Sequence, residues 1–361
     1  MIPLTVPLIE DDDLAVVAEV LRSGNLVQGR NVAAFEAAVA AQVGVPHAVA
    51  VANGTAALHL ALLALGVGPG DAVAVPTYSW PATANVVEAV GADCVFVDIE
   101  EGSWAMSPAR LAEVDVPLAA VLPVHPFGVM ADLAALAAAA PGVPVVEDAA
   151  CALGAGRDGR AAGSVGTMGC FSFHPRKAVT TGEGGMVTTS SAELDVALRR
   201  WRNHGIHLTP GGSDFVLPGL NYRLTDMQGA LGVTQMAKLE RVVGARRAAA
   251  DVYAELLAGT PLAAPAVIAS SEPVHQSYVA VLPEGVDRAA LIPAAAERGV
   301  QIQIGTVDIP SSSYYRDKYG FGPGRFPVTE AWVGRHLSLP LYPGITREQQ
   351  ETVVSTVVGL L

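Results

Sequence analysis

Predicted strands and helices alternate along the first 190 residues. Apolar runs such as 47–51, 72–75 and 143–147 are separated by turns and by segments of helical length. This alternation is typical of an α/β domain in which a mainly parallel sheet lies between two layers of helices. Ligands of such sheets bind beyond the carboxyl ends of the strands. We therefore expect the functional residues to follow strands.

Composition supports a large folded protein and argues against nucleic acid, metal ions and membranes as partners. Of 361 residues, 51% are apolar and 16% are charged, which is enough apolar sequence for two domains. The net charge of −13, with no basic cluster, argues against nucleic acid. Three cysteines indicate a reducing compartment, and the Cys170–His174 spacing has no second ligand pair, so we predict no metal site. No signal-peptide pattern or membrane-spanning run is evident, and we expect a cytoplasmic protein without a membrane partner.

The chain is predicted to form two domains, 1–245 and 246–361. The segment 221–226 is expected to open a long helix that runs to about residue 257, with a break near Gly244, and prolines are frequent beyond it. The extended N-terminal segment is expected to pack with the smaller C-terminal domain. Arg223 is expected to form an ion pair with Asp226 at the start of the long helix.

One lysine lies in an unusually constrained stretch, GCFSFHPRKAVTTGEGG (169–185). Its first residues alternate as in a strand, which should end near His174 because Pro175 has no backbone N–H. The glycines at its end permit backbone angles that other residues avoid. Lys177 therefore lies on a loop fixed at both ends, as an amine that bonds to a carbonyl carbon requires. Taken alone, the pattern also fits a solvated lysine.

Three further features follow predicted strands. The turn 53–56 (NGTA) separates a strand from an apolar helix, and the free N–H groups of such a turn bind anions. The same residues also suit an ordinary helix N-cap. Trp80 lies in a loop after the strand 72–75, and Asp148 lies at the carboxyl end of VPVVE.

Together these features meet the requirements of pyridoxal 5′-phosphate (PLP). A lysine forms a Schiff base with its aldehyde, and a carboxylate keeps its pyridine nitrogen protonated. An anion-binding turn holds the phosphate and an aromatic face stacks on the ring. The sequence therefore predicts a PLP-dependent enzyme.

The chain also resembles the DegT/DnrJ/EryC1/StrS aminotransferases, which are PLP-dependent sugar aminotransferases of fold type I. The resemblance extends over nearly the whole chain, and the similar segments include NGTAALHLALLALGVGPGD, VVEDAA, FSFHPRKAVTTGEGG and NYRLTDMQGALG. It implies a large domain with a mainly parallel mixed sheet between helices, plus a smaller α+β C-terminal domain.

The resemblance also implies roles for individual residues. Lys177 matches the Schiff-base lysine, which also moves the substrate proton, and Asp148 matches the partner of the pyridine nitrogen. Trp80 lies where the family has a stacking aromatic residue. Asn221 matches an asparagine that reaches the phosphate of the neighbouring subunit, which implies a homodimer with shared active sites. The phosphate is expected to contact Gly54, Thr55, Ala56 and Ser172.

Some positions depart from the family pattern. Cys151 replaces a glutamine that usually lies near the cofactor ring, and a small buried filler is the alternative reading of this cysteine. The segment QIGTVDIPSSSYYRDKYG lacks the usual acceptor-binding pattern. His174, His204 and Tyr314 are candidate substrate contacts. The alternatives are histidines that are merely hydrogen-bonded in place and a tyrosine in a surface loop.

The function implied is amino transfer from an amino acid, expected to be L-glutamate, through pyridoxamine 5′-phosphate (PMP) to a keto-sugar, expected to be nucleotide-linked. A keto-cyclitol acceptor is an alternative. A sugar 3-dehydratase is a second alternative, although those relatives carry histidine in place of the lysine at 177. A PLP-binding regulatory protein without turnover is the third.

Overall fold

The computed structural model describes residues 1–361. The thirteen helices are α1 Asp11–Ser23, α2 Arg30–Val43, α3 Gly54–Ala64, α4 Ala82–Ala89, α5 Pro108–Leu111, α6 Leu133–Ala139, α7 Ala192–Arg202, α8 Asp226–Ala237, α9 Leu239–Leu257, α10 Arg288–Glu297, α11 Ser313–Tyr319, α12 Pro327–Val333 and α13 Arg347–Val358. None of them is long and apolar enough to cross a membrane. The strands are β1 His47–Val51, β2 Ala72–Pro76, β3 Tyr78–Ser79, β4 Asp93–Val97, β5 Ala120–Val121, β6 Val146–Asp148, β7 Gly156–Arg157, β8 Arg160–Ala161, β9 Met168–Ser172, β10 Gly185–Thr189, β11 Ile206–Thr209, β12 Gly212–Phe215, β13 Ser271–Glu272, β14 Tyr278–Val281, β15 Gln303–Ile304, β16 Val307–Asp308 and β17 His336–Leu339.

The central sheet is mainly parallel, as predicted. Strands β1, β10, β9 and β6 form one ladder and β4, β2 and β5 form another. Parallel bridges from Val121 to Val145 and from Val124 to Asp148 join the two ladders into seven strands. Only β10 runs against its neighbours. The carboxyl ends of the other six strands therefore share one edge.

Alternate side chains of the sheet enter two apolar cores, one on each face. In β1, Ala48 and Ala50 face one core, and Val49 and Val51 face the other. Helix α3 belongs to the second core and buries most of its side chains there. A helix that is apolar around most of its circumference must lie inside the protein, and α3 accordingly packs against β9 and β10 of the sheet.

A third core is made only of residues from Ala249 to Val357. The N-terminal segment reaches it, since Ile2 packs against this core and forms a parallel bridge with Val300. However, Ile309, Tyr315 and Phe326 return to the second core of the central sheet. The division of the chain at 245/246 stays a prediction, and the later segment 309–326 packs with the N-terminal part.

Two local expectations are wrong. The long helix is interrupted at Lys238 rather than at Gly244, which lies inside α9. The Lys238 ammonium is held by Asp12 at 2.6 Å and by Asp13 at 2.7 Å, and these contacts to α1 fix the chain where α8 ends. Arg223 does not pair with Asp226 but donates to Asn203 Oδ1 at 2.5 Å.

Asp226 instead caps α2. Its carboxylate accepts hydrogen bonds from the backbone N–H groups of Asn31 and Val32 at 3.0 and 3.1 Å. Gly29, which precedes α2, has no side chain that could perform this role. The start of α8 therefore supplies the acceptor for the unpaired N–H groups of α2.

Candidate active site

The carboxyl edge of the sheet brings together the turn after β1 and the end of β9. Gly54 lies so close to this strand that a Cβ added to it would be 2.9 Å from the Cβ of Ser172. Gly185 similarly lies against the backbone of Asn53, where any side chain would collide with the Asn53 carbonyl. The glycines at these positions thus allow two backbone segments to approach the same small space.

The turn after β1 and the start of α3 form a cradle of backbone N–H groups. The N–H groups of Gly54 and Thr55 have no acceptor in the protein, and they lie in the first turn of α3. The N–H of Ala56 differs from them because it donates to the Asn53 side chain at 2.8 Å. The free donors and the positive end of the helix dipole suit a phosphate, with the Ser172 hydroxyl beside them.

Asp148 is buried at the end of β6, with both carboxylate oxygens engaged. Oδ2 accepts a hydrogen bond from the Thr83 hydroxyl at 2.8 Å, and Oδ1 accepts one from the Ala150 N–H at 3.2 Å. Burial raises the pKa of Asp148 above its usual value, while these hydrogen bonds and the charge of Lys177 act in the opposite direction. A cation placed against this carboxylate would favour its ionised form.

The loop that contains Lys177 starts with a tight turn. In this turn the Lys177 N–H donates to the His174 carbonyl at 2.8 Å. The lysine ammonium donates to Cys151 Sγ at 3.0 Å. The lysine predicted to be reactive and the cysteine that departs from the family pattern are therefore in direct contact. Cys151 is half-buried and free of any disulfide.

Arg246 of α9 supports this loop from below, and the sequence analysis missed it. The side chain is almost fully buried, and its guanidinium donates to the carbonyl oxygens of Lys177 at 3.2 Å and Arg176 at 3.4 Å. Burial lowers the pKa of Arg246 to about 10, so it stays charged at neutral pH. No carboxylate pairs with it. Its hydrogen bonds fix the lysine loop to α9, the helix that spans the predicted domain boundary.

A buried pair of side chains, His125 and Glu147, lies next to Asp148 and is also absent from the sequence predictions. His125 Nε2 and Glu147 Oε2 are 2.9 Å apart and both side chains are fully buried. The Ala131 N–H donates to His125 Nδ1, so the ring proton is on Nε2 and points at the carboxylate. Burial alone would raise the pKa of Glu147, but hydrogen bonds from His125 and backbone N–H groups hold it below the usual value. The pair connects β6 to the loop that contains His125.

The remaining predicted residues are exposed or, in the case of His174, half-buried. Trp80 is 68% exposed, and Asn221 and His204 are also exposed. His174 Nδ1 accepts the Arg176 N–H at 3.2 Å, and burial lowers the pKa of His174. Tyr314 lies on helix α11 rather than on a loop, and its hydroxyl donates to Glu88 at 3.0 Å. The structure contains no group of three or more His, Cys, Asp or Glu side chains that could hold a metal ion.

Comparison with known proteins decides the family. The profile of the DegT/DnrJ/EryC1/StrS aminotransferase family matches residues 7–358. The chain belongs to this family. Its members are PLP-dependent aminotransferases, so the protein is an enzyme of that class.

Several solved structures are similar to this aminotransferase. A putative sugar aminotransferase from Streptococcus pneumoniae in its PMP form has 26% sequence identity and a TM-score of 0.94, with 100% of this chain and 99% of that chain covered. The same protein has also been solved in its PLP form, with a TM-score of 0.94. DesV from S. venezuelae has 34% identity and a TM-score of 0.90, covering 96% of this chain and 94% of that chain. The aminotransferase TlmJ from Streptoalloteichus hindustanus has 31% identity and a TM-score of 0.92, covering 99% and 98%.

The residues of this aminotransferase fit PLP. The free N–H groups of Gly54 and Thr55 suit its phosphate, the buried carboxylate of Asp148 suits a protonated ring nitrogen, and the amine of Lys177 suits its aldehyde. When bound, PLP supplies a ring that accepts electrons from the substrate carbon. Within the protein, Lys177 can carry a proton and Asp148 can hold one on the ring nitrogen.

Proposed function

We propose that this aminotransferase moves an amino group from L-glutamate to a keto-sugar linked to a nucleotide. The observation that carries the proposal is the position of Lys177 at the edge where the cradle of Gly54 and Thr55 also lies, in a fold similar to sugar aminotransferases. Hydrogen bonds from the Lys177 N–H to His174 and from Arg246 to the Lys177 carbonyl fix the lysine loop, and fixed placement of the reacting groups is what such catalysis requires.

We assign the residues as follows within this proposal. Lys177 binds the cofactor and carries the proton of the reaction, and Asp148 faces the ring nitrogen. Trp80 covers one face of the ring, and Cys151 lies beside the amine. Gly54, Thr55 and Ser172 hold the phosphate, whereas the Ala56 N–H is already used by the helix cap. His174, His204 and Tyr314 are assigned to the acceptor site as candidate contacts only.

A homodimer with shared active sites is part of the proposal. The exposed position of Asn221 supports it, since this side chain is free to reach the phosphate site of a second subunit. Size-exclusion chromatography with light scattering tests the dimer. Mixing Lys177→Ala with Asn221→Ala subunits tests the sharing, because a mixed dimer would regain one complete site, and activity above that of either variant would support it.

The decisive experiment is a pair of half-reactions. The holoenzyme is mixed with L-glutamate under conditions without acceptor, and conversion to the PMP form is followed by absorbance and by release of 2-oxoglutarate. The PMP form is then offered keto-sugars with and without a nucleotide, and keto-cyclitols as the competing acceptor class. Regeneration of the PLP form by a nucleotide-linked keto-sugar supports the proposal, whereas regeneration only by a keto-cyclitol contradicts its acceptor.

Dehydration and regulation are the other competing functions. Lys177 is present where the related dehydratases have histidine, which favours transamination. Product analysis by mass spectrometry separates the two reactions. Transamination replaces one oxygen of the sugar with nitrogen, whereas dehydration removes an oxygen without adding nitrogen. Absence of both half-reactions in a PLP-loaded protein would favour a regulatory role.

A further inference from the structure

Two buried hydroxyl groups are connected by hydrogen bonds to the carboxylate of Asp148. The Ser79 and Thr83 side-chain oxygens are 2.9 Å apart, and Thr83 Oγ1 is 2.8 Å from Asp148 Oδ2. Thr83 is fully buried and Ser79 is 4% exposed. Neither hydroxyl forms any other side-chain hydrogen bond, so Ser79, Thr83 and the carboxylate are hydrogen-bonded in series.

The direction of the protons in this chain follows from counting donors. An ionised carboxylate can only accept, so the single proton of the Thr83 hydroxyl points at Asp148. The Thr83 oxygen must then accept from Ser79, which uses the single proton of Ser79. Each hydroxyl is therefore committed to one orientation as long as Asp148 is charged. A neutral Asp148 would relax this order, because its own proton could point at Thr83.

The hydroxyl chain opposes the effect of burial on Asp148. Burial raises the pKa of this carboxyl, and the hydrogen bond from Thr83 is the largest of the contributions that lower it, ahead of the Ala150 N–H and the charge of Lys177. Removing a hydrogen bond to a buried charged group leaves that group undersolvated. Thr83 therefore supports the ionised form of the carboxylate.

The same turn positions Trp80. The Thr83 N–H donates to the Trp80 carbonyl at 3.2 Å, and α4 begins at Ala82 directly between them. Thr83 points into the protein from the first turn of α4, while Trp80 remains at the surface. One short turn thus connects the aromatic residue expected on the face of the ring with the carboxylate expected at its nitrogen.

We propose that Thr83, supported by Ser79, is a positioning residue that fixes the orientation and the charge of Asp148 for its contact with the cofactor nitrogen. The inference rests on the placement of the ring against Asp148 proposed above. Nothing in it requires Thr83 to touch substrate or cofactor. Its effect passes through the carboxylate alone.

The test uses holoenzyme loaded with PLP that carries ¹⁵N in the ring, because the nitrogen chemical shift reports directly whether that atom is protonated. Thr83→Val removes the donor at nearly constant volume, Thr83→Ser keeps the hydroxyl, and Ser79→Ala removes only the outer member. Asp148→Asn is measured alongside as the reference for loss of the carboxylate. The half-reaction with L-glutamate is timed for each variant by rapid mixing.

We expect the ring nitrogen of Thr83→Val to lose its proton at a lower pH than in the wild type, with Ser79→Ala between the two and Thr83→Ser near the wild type. The half-reaction of Thr83→Val should slow by roughly 10- to 100-fold, the range for loss of a hydrogen bond to a charged group. A merely structural hydroxyl would lower thermal stability without moving the nitrogen signal.

Two results would overturn the proposal, and they are distinguishable. If Asp148→Asn moves the nitrogen signal but Thr83→Val and Ser79→Ala do not, the assignment of Thr83 is wrong and the placement of the ring stands. If Asp148→Asn also leaves the signal unchanged, the placement of the ring is wrong and the role of Thr83 falls with it. Should Thr83→Val fail to fold, the comparison of Ser79→Ala with the wild type carries the same decision.

Discussion

The amine of Lys177 and the thiol of Cys151 are in contact, with 3.0 Å between Nζ and Sγ. This contact places the half-buried thiol of Cys151 beside the amine that we propose binds the cofactor. The other two cysteines, Cys94 and Cys170, are buried elsewhere in the second core. The three thiols should therefore differ sharply in reactivity.

We expect iodoacetamide to modify Cys151 alone in the native apoprotein. Burial raises the pKa of Cys94 to about 12 and that of Cys170 well above its usual value, so neither forms thiolate readily. Loading with PLP should slow the modification of Cys151, because the cofactor would occupy Lys177. Peptide mass spectrometry measures the sites, with Cys151→Ala as the control that should remain unlabelled. Early labelling of Cys94 or Cys170 would contradict the burial of these side chains.

Lys177→Ala should abolish the visible absorption of the lysine-bound cofactor. Turnover should fall by at least about 10²–10⁴-fold, the contribution of a single general base. Borohydride reduction followed by peptide mapping measures the linkage directly. Lys318→Ala, which removes a surface ion pair with Glu88, is the matched control and should retain the linkage. Reduction that still attaches the cofactor to the Lys177→Ala chain would contradict the assignment.

Asp148→Asn should retain the cofactor but slow the half-reaction with L-glutamate. The amide cannot balance a positive charge on the ring nitrogen, and loss of one such electrostatic contact costs about 10²–10³-fold in rate. Stopped-flow absorbance gives the rate and ultrafiltration gives the affinity. Asp158→Asn is a suitable control, since Asp158 lies in a turn with φ of 51°, which asparagine tolerates. An unchanged half-reaction rate would remove Asp148 from its assigned role.

Gly54→Ala should weaken PLP binding. The new methyl group would lie 2.9 Å from the Ser172 side chain, and the resulting overpacking costs about 1–3 kcal/mol, in part as cofactor affinity. Fluorescence titration of the apoprotein with PLP measures this loss. Gly68→Ala is the control, because a Cβ at that position meets nothing closer than 4.0 Å. Equal affinity of the two variants would show that the cradle does not need the close approach.

The stability of the protein should depend on pH through His336. Burial is the main cause that lowers the pKa of this residue to about 3, whereas an unfolded histidine titrates near 6.5. Its contribution to stability is therefore present above pH 6.5 and declines as the pH falls, by about 1.4 kcal/mol per pH unit. The stability advantage of the wild type over His336→Leu should shrink between pH 7 and pH 4.5 in thermal melts. Tyr78→Phe removes the hydrogen-bond partner at 2.6 Å but keeps the buried histidine, so it should retain the pH dependence. An advantage that stays constant with pH would contradict this account.

Much of the fold follows from local sequence patterns. Strand β1 has the predicted bounds, because its apolar run is closed on both sides by turn residues. Helix α11 was not predicted, since its stability comes from tertiary packing. Tyr315 in this helix packs edge-on against Phe96, with ring centroids 5.3 Å apart. No pattern within seven residues reveals a partner more than 200 positions away.

The candidate site divides in the same way. Lys177 and Asp148 can be predicted from the sequence because one follows a strand and the other ends one, and each has an unusual local context. Thr83 and Arg246 are not, because each is an ordinary residue within a helix. Their importance arises only when folding brings them to Asp148, 65 positions from Thr83, and to the Lys177 carbonyl, 69 positions from Arg246.

The return of residues 309–326 to the second core limits how this enzyme can be recombined with its relatives. Phe326 and Tyr315 pack around Phe96 of β4, and Asp98 accepts the backbone N–H groups of Val328 and Thr329 that begin α12. A chimera that exchanged everything after residue 245 would replace one half of this aromatic cluster and leave the other half unmatched. Successful exchange requires either both sides of the cluster or a transplant that excludes this segment. The positions at which segments can be exchanged are therefore set by the contacts between segments rather than by their order along the chain.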